Sequence, residues 1–380
     1  MKLETTVGVL TETLDEWFPK RLAASWDNTG LLIGSKKNKV EKILACLTVT
    51  FDVCAEATAW GADLIISHHP LMFKPIQQIT DESPEGLILQ KLCRHGVALY
   101  SPHTSHDGCL GGINDQLADL IGMTGLRPLF PAMSPRSVKL VTFVPSSHLR
   151  EISRELFAAG GGQIGKYSGC SFRGEGVGTF FGEDGTNPVI GTAGNAETVS
   201  EHRLEIVFPS QKIHEAISRL KKVHPYEEPA FDIYPLDPTP SREGNGRIGR
   251  LNSPTILGQL SQRIAKLAPS ELIQSIGHDF LPVTTVAIGC GASGEWVKVA
   301  KEQHADLFIT GEMRYHDMLW AHQAGMAAIV LGHHSSESFA MKTMVARLKG
   351  KFPETLIRNT SQDHVPMHWY GKQELFTTAE

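Results

Sequence analysis

Between residues 42 and 122, continuous apolar runs alternate with amphipathic stretches. "KILACLTVT" (42–50), "ADLIISHH" (62–69) and "VALYSPH" (97–103) read as buried strands, and "DVCAEATAWG" (52–61), "EGLILQKLCRHG" (85–96) and "INDQLADLIG" (113–122) as helices. Strands that are apolar on both faces, each followed by a helix, predict a parallel sheet covered on both sides. The same order returns later. "TTVAIGC" (284–290), "ADLFITGE" (305–312) and "MAAIVLGHH" (326–334) are strand-like, and each precedes a helical segment. Residues align as well as pattern: "ADLIISHHPLMF" (62–73) lies over "ADLFITGEMRYH" (305–316), and "GVALYSPHTSHDG" (96–108) over "GMAAIVLGHHSSES" (325–338). We read this as internal duplication of a βαβαβ lobe.

The middle of the chain has another rhythm. "VKLVTFVP", "HLREISRELFAAG", "YSGCSFRGEGVGTFF", "HRLEIVFP", "QKIHEAISRLKKV" and "EPAFDIYPL" follow the order β-α-β-β-α-β, that of a ferredoxin-like split βαβ fold. The Pro- and Gly-rich "DPTPSREGNG" closes it as a linker. The expected class is therefore α/β. A first lobe (1–124) and a second lobe (248–380) form an outer domain, and a ferredoxin-like α+β domain (125–247) is inserted between them.

Composition narrows the function. A hydrophobic content of 41% and a charged content of 20% are those of a globular protein, and a net charge of −5 gives no electrostatic footprint for nucleic acid. Cysteines at 46, 54, 93, 109, 170 and 290 contain no C-x-x-C pair, which fits a reducing compartment and argues against a zinc–cysteine site; Cys109 reads as a small core residue. The acidic, helix-like start is unlike a signal peptide, and no apolar stretch approaches the roughly 20 residues that span a bilayer. A cytoplasmic location, with no membrane partner, is the expectation.

Seventeen histidines are the unusual feature. They gather where strands end: His68 and His69; His103 and His106, with Asp107; His316, with Glu312; His333 and His334, with Glu337. Ligands collect at the carboxyl ends of strands in open α/β sheets, and the i, i+4 spacing of His333 and Glu337 puts both on one side of a helical turn. Imidazole and carboxylate without thiolate suit Zn²⁺, Fe²⁺, Mn²⁺ or Ni²⁺. Adjacent histidines could serve one metal each, and two metals sharing a carboxylate are a natural count. Two loops stay ambiguous. In "WDNTG" (26–30), Asp27 and Asn28 either bond a ligand at the site mouth or form an Asx turn; "AIGCGASG" (287–294) either binds an anion or packs strand on helix. His364 and His368 share the i, i+4 spacing, but Pro366 breaks the helix that would align them, so they read as structural.

Taken together, "SWDNTGLLIG" (25–34), "ISHHPLMF", "HTSHD", "TGEMRYHD" and "LGHHSSE" resemble the Nif-three-like family, whose members carry the name GTP cyclohydrolase type 2 homologue. "IGKYSGCSFRGEGVGTF" and "VHPYEEPAFDIYPL" are similar to the PII-like or CutA-like insert of its longer bacterial members. The resemblance implies a dinuclear site on His68, His69, Asp107, His333 and Glu337, with Glu337 as the bridge. It leaves Glu312 and His316 as catalytic groups that move protons or orient ligands, His103 beside them, and a toroidal homohexamer as the assembly. His106 departs from the family pattern, as an added ligand or a change in substrate access, and His334 stands where an aromatic residue is common. Two functions follow. One is a metal-dependent hydrolase of a nucleotide or other phosphate-bearing small molecule; the other is a non-catalytic assembly that stores, delivers or senses metal under control of the insert.

Overall fold

The computed structural model describes residues 4–267 and 272–367. Its fold is mixed α/β and divides into two compact units, one built from the segments up to Ala132 and from Arg242 onward, the other from Met133–Ser241.

The larger unit is built on two large sheets. In the first, the strands run in the order Gly30–Ile33, Ala98–Ser101, Leu64–Ser67, Lys42–Cys46, Leu356–Asn359; all neighbours are parallel except the first pair. Leu64–Ser67 and Ala98–Ser101 are buried along their whole length, which accounts for their unbroken apolar sequence. The helices between them start and stop by ordinary capping: Thr50 accepts from the Val53 amide to open Phe51–Trp60, Gly61 closes it at φ +71°, and Ser83 with Pro84 opens Pro84–Arg94. The second sheet runs Gln274–Ile276, Ala327–Val330, Leu307–Thr310, Pro282–Gly289, Arg247–Ile256, Met123–Arg127, with three parallel strands at its centre and antiparallel flanks.

Each half of the chain completes the other's sheet. Strand Met123–Arg127 and helix Ile113–Ile121 come from the first half, yet the strand edges the second sheet and Ile113, Leu117 and Ile121 pack into its core. Conversely, strand Leu356–Asn359 edges the first sheet, and Met341, Met344, Val345 and Leu348 of helix Phe339–Lys351 fill the core beneath it. Buried Arg247 reinforces the exchange by bonding to the Cys109 carbonyl at 2.8 Å and to Asp115 Oδ2 at 3.0 Å.

The smaller unit is a four-stranded antiparallel sheet in the order Phe231–Leu236, Ser137–Val144, Ala196–Pro209, Phe172–Phe181. Helices Leu149–Ala158 and Ile213–Val223 cover one face, where Leu140, Val144, Ile152, Leu156, Ile206 and Leu220 form the core. Among the described residues, no helix is long and apolar enough to cross a membrane.

Candidate metal centre

In the larger unit, the parallel strands deliver their polar loops to one place. Leu64–Ser67 runs directly into His68 and His69, whose backbone carbonyls accept from Ser101 Oγ at 2.6 Å and from Ser67 Oγ at 2.7 Å. Ala98–Ser101 leads to His103 and the short helix Thr104–Gly108, which carries His106 and Asp107. From the second sheet, Leu307–Thr310 leads to Glu312, and Ala327–Val330 to the short helix His333–Glu337.

Glu337 stands at the centre. Its Oε2 lies 3.1 Å from His69 Nε2 and 3.2 Å from His333 Nε2, and its Oε1 lies 3.9 Å from His68 Nε2. His68 Nε2 is also 3.8 Å from Asp107 Oδ1. His68, His69 and His103 each bring a ring nitrogen to within 4.8 Å of the others, as do His69 and His333 with a Glu337 oxygen. The approach is close enough to constrain the facing loop: at Gly291, φ +65°, a Cβ atom would lie 2.3 Å from Glu337 Oε1.

Three imidazoles are held from behind. His103 Nδ1 lies 2.7 Å from Asp27 Oδ1, His333 Nδ1 3.0 Å from Glu312 Oε1, and His69 Nδ1 2.7 Å from Thr48 Oγ1. Such contacts fix ring orientation and turn Nε2 toward the centre, as outer hydrogen-bond partners do for metal-ligating histidines. Burial opposes ionisation of Asp27, but hydrogen bonds from His103 and Thr104 outweigh it and hold the carboxyl below its usual range. His103 itself sits at φ +36°, a strained conformation for a residue with a side chain and one that clusters at functional sites.

The electrostatics are those of a site that could hold a cation. His68 is fully buried, and neither of its ring nitrogens has a hydrogen-bond partner; burial pushes its pKa well below 6.5, so it is a neutral ring with a lone pair to offer. Asp107 Oδ1 is likewise buried without a partner, and burial followed by the charges of Glu337 and Asp27 drives that carboxyl up. Burial also opposes the Glu337 carboxylate, but hydrogen bonds from His333 and His69 keep it ionised, and the Glu337 bond is the chief cause that pushes His333 up to about 9. Buried polar atoms are seldom left idle. Neutral imidazole nitrogens and carboxylate oxygens around such atoms fit a divalent transition metal.

Not every expected residue joins. His316 lies exposed on helix Tyr315–Gln323 with its ring 5.7 Å from that of Tyr315, and it makes no contact with the cluster among the described residues; the helix starts at Tyr315 and turns it outward. Glu312 reaches the site only through His333. His106 is buried between the cluster and the core, its ring 5.8 Å from that of His68 and 4.5 Å from that of Phe18, with burial pushing it down to about 3. His334 turns toward Asp363, 3.8 Å away. Asn28 bonds the Met72 carbonyl at 2.7 Å. Gly289 in "AIGCGASG" lies where a Cβ would strike Ser293 and Trp296, and the helix after it has only six residues, so that loop is a packing turn. His364 is exposed, and His368 lies outside the described residues. One buried residue had no sequence signal: Asn114 donates to the Asp107 carbonyl at 3.1 Å and accepts from the Cys290 amide at 3.0 Å, tying the Asp107 loop to the glycine turn that faces Glu337.

A family model described as Duf34/NIF3 (NGG1p interacting factor 3) matches residues 5–364. The GTP cyclohydrolase 1 type 2 homolog of Halalkalibacterium halodurans is 35% identical over 323 residues, covering 85% of this chain and 87% of its own. That of Bacillus subtilis is 33% identical over 338 residues, covering 89% and 90%. Among solved structures, the Bacillus cereus protein related to NIF3 superposes with a TM-score of 0.79 at 32% identity, covering 96% of this chain and 99% of that one. The Staphylococcus aureus protein SA1388 gives 0.82 at 26% identity, covering 97% and 99%.

Proposed function

Because the chain belongs to the Duf34/NIF3 family, we propose that it is a dinuclear metal-dependent hydrolase of a nucleotide or another phosphate-bearing small molecule. The observation that carries this reading is the unpartnered, fully buried His68 beside Asp107 and Glu337. His68, His69, Asp107, His333 and Glu337 would hold two divalent ions, Zn²⁺ or Fe²⁺ first and Mn²⁺ or Ni²⁺ next. The two Glu337 oxygens face different histidines, which supports a shared carboxylate. Bound there, the ions would supply Lewis acidity and acidify water near neutral pH.

The chain's own groups do the rest. Asp27 holds the Nδ1 side of His103, so the free Nε2 takes a proton from water or returns it to a leaving group. Glu312 orients His333. His68 and Glu337 are buried, while His69 and His333 stay partly open to solvent, which leaves the cluster one accessible side.

We read the larger unit as a duplicated lobe and the smaller as a PII-like or CutA-like insert, supported by its split strand order. Exposed Phe172, Val177, Phe181, Ile233 and Tyr234 on that insert support self-association, for which a homohexamer is the proposed state.

Metal content by plasma emission spectrometry, beside His68→Ala and Glu337→Ala, is the test. About two metals per chain, lost in both variants, with turnover of a nucleotide panel, is the expected result. Metal without turnover would favour storage or sensing, and no metal after reconstitution would end the dinuclear reading.

A further inference from the structure

Two large aromatic side chains stand uncovered beside the cluster. Trp26 is 59% exposed and Phe73 51% exposed, although rings of this size are ordinarily buried. Their centroids are 5.3 Å apart at 42°, and each lies 6.0 Å from the ring of His103. His103 in turn is 5.4 Å from His68 and 5.6 Å from His69. One imidazole therefore separates the aromatic pair from the polar centre.

The pair is held in place by its sequence neighbours. Next to Trp26, Asp27 bonds His103 and the Thr104 amide. Next to Asp27, Asn28 donates to the carbonyl of Met72, which precedes Phe73. The two loops that carry the aromatics are thus laced together and to the strained His103, while both aromatic side chains stay more than half exposed. A preorganised pair of exposed rings at the edge of a polar site is suited to stack against a flat, polarisable group, and stacking of this kind tolerates different ring systems.

We propose that Trp26 and Phe73 form a stacking platform for the planar heteroaromatic ring of the substrate, while its anionic end lies over the His68–His69–Glu337 cluster. This rests on the hydrolase reading above and names its substrate class: a base-bearing phosphate ester, as opposed to a bare polyphosphate or sugar phosphate. Trp26 and Phe73 are specificity-determining residues, and their part is in binding, whereas the proton chemistry stays with His103.

The test compares equilibrium binding of GTP and of inorganic triphosphate by titration calorimetry to the full-length, metal-replete protein, its Trp26→Ala, Phe73→Ala and Trp26→Phe variants, with native mass recorded for each. The expected result is tighter GTP than triphosphate binding in the parent. GTP affinity should fall about tenfold or more in each alanine variant, triphosphate affinity should stay unchanged, and Trp26→Phe should recover most of the loss. Equal GTP and triphosphate affinity, unchanged by the substitutions, would overturn the platform while leaving a phosphate-directed hydrolase standing. Loss of native mass in the alanine variants would overturn it in favour of a subunit contact. Binding of neither probe would remove the nucleotide reading and the platform together.

Discussion

His69 and Glu337, 268 residues apart in the chain, meet at 3.1 Å between Nε2 and Oε2. The pair joins the loop after one sheet to the short helix after the other, so Glu337 is where both halves converge. Glu337→Gln keeps the shape and removes the charge. It should cut metal content from about two ions per chain to one or none, read by emission spectrometry, with the far-ultraviolet circular dichroism spectrum unchanged. Full metal occupancy in that variant would show that the carboxylate is no ligand.

Asp27→Asn tests the imidazole anchor. The amide can still meet His103, but it no longer favours the Nδ1–H tautomer as a carboxylate does. Turnover or metal affinity should drop about 10- to 100-fold. The pH–rate profile should shift as well, a change that a purely structural role for Asp27 would not produce. The profile and the metal content, measured on the same preparation, separate the two.

Gly291→Ala puts a methyl group where Glu337 Oε1 now lies, at a backbone angle that disfavours any side chain. It should displace the carboxylate and lower metal retention on dialysis. The left-handed conformation adds about 1 kcal/mol of destabilisation. Unchanged retention would mean that the loop can give way.

Arg247→Met leaves Asp115 without the guanidinium that now bonds it and three backbone carbonyls. Breaking one side of a buried ion pair costs about 3 kcal/mol or more, so denaturant melts should show a clear fall in midpoint. Arg247→Met with Asp115→Leu should recover part of it. No recovery would place the cost in the lost carbonyl bonds instead.

In the smaller unit, His224 accepts from the Tyr226 amide at Nδ1, 3.1 Å, and donates from Nε2 to the Phe143 carbonyl, 3.0 Å. Burial pushes its pKa below 6.5, with the Phe143 bond opposing only in part. Protonation at Nδ1 would forfeit the Tyr226 bond. Below 6.5 the unfolded chain therefore binds more protons than the folded one, and stability falls as pH drops from 6.5 through the lower folded value. Thermal melts from pH 7.5 to 5 should show the decline, and His224→Gln should lessen it, the buried His68 and His106 keeping the remainder.

The family and the mixed α/β class could be read in the sequence because both rest on local signals. A strand buried on both faces must be apolar throughout, and a histidine pair closing such a strand is conspicuous. Roles within the loops were less legible. One short helical turn decides what each side chain meets, so Asp107 presents a carboxylate to His68 while His106 lies between His68 and Phe18, although both follow the same strand. Glu312 and His316 differ likewise, because the helix begins between them. Asp27 offered two readings, and only the fold shows it bonded to His103. Asn114 had nothing to mark it, since a buried amide that ties two loops is visible only once both loops are placed. The exchange of edge strands was hidden for the same reason: the pairing of Leu356–Asn359 with Lys42–Cys46 is set by packing across the whole chain.

That exchange also sets a clock on synthesis. Strand Lys42–Cys46 leaves the ribosome early, yet its neighbour Leu356–Asn359 follows roughly 300 residues later, which at ribosomal speed is about 15 to 60 seconds. Throughout that interval the nascent first sheet has an open hydrogen-bonding edge and an uncovered apolar floor, the kind of surface that pairs with the wrong chain. A product that stops before helix Phe339–Lys351 would keep both exposed permanently. Only a chain synthesised past Asn359 can close its first sheet.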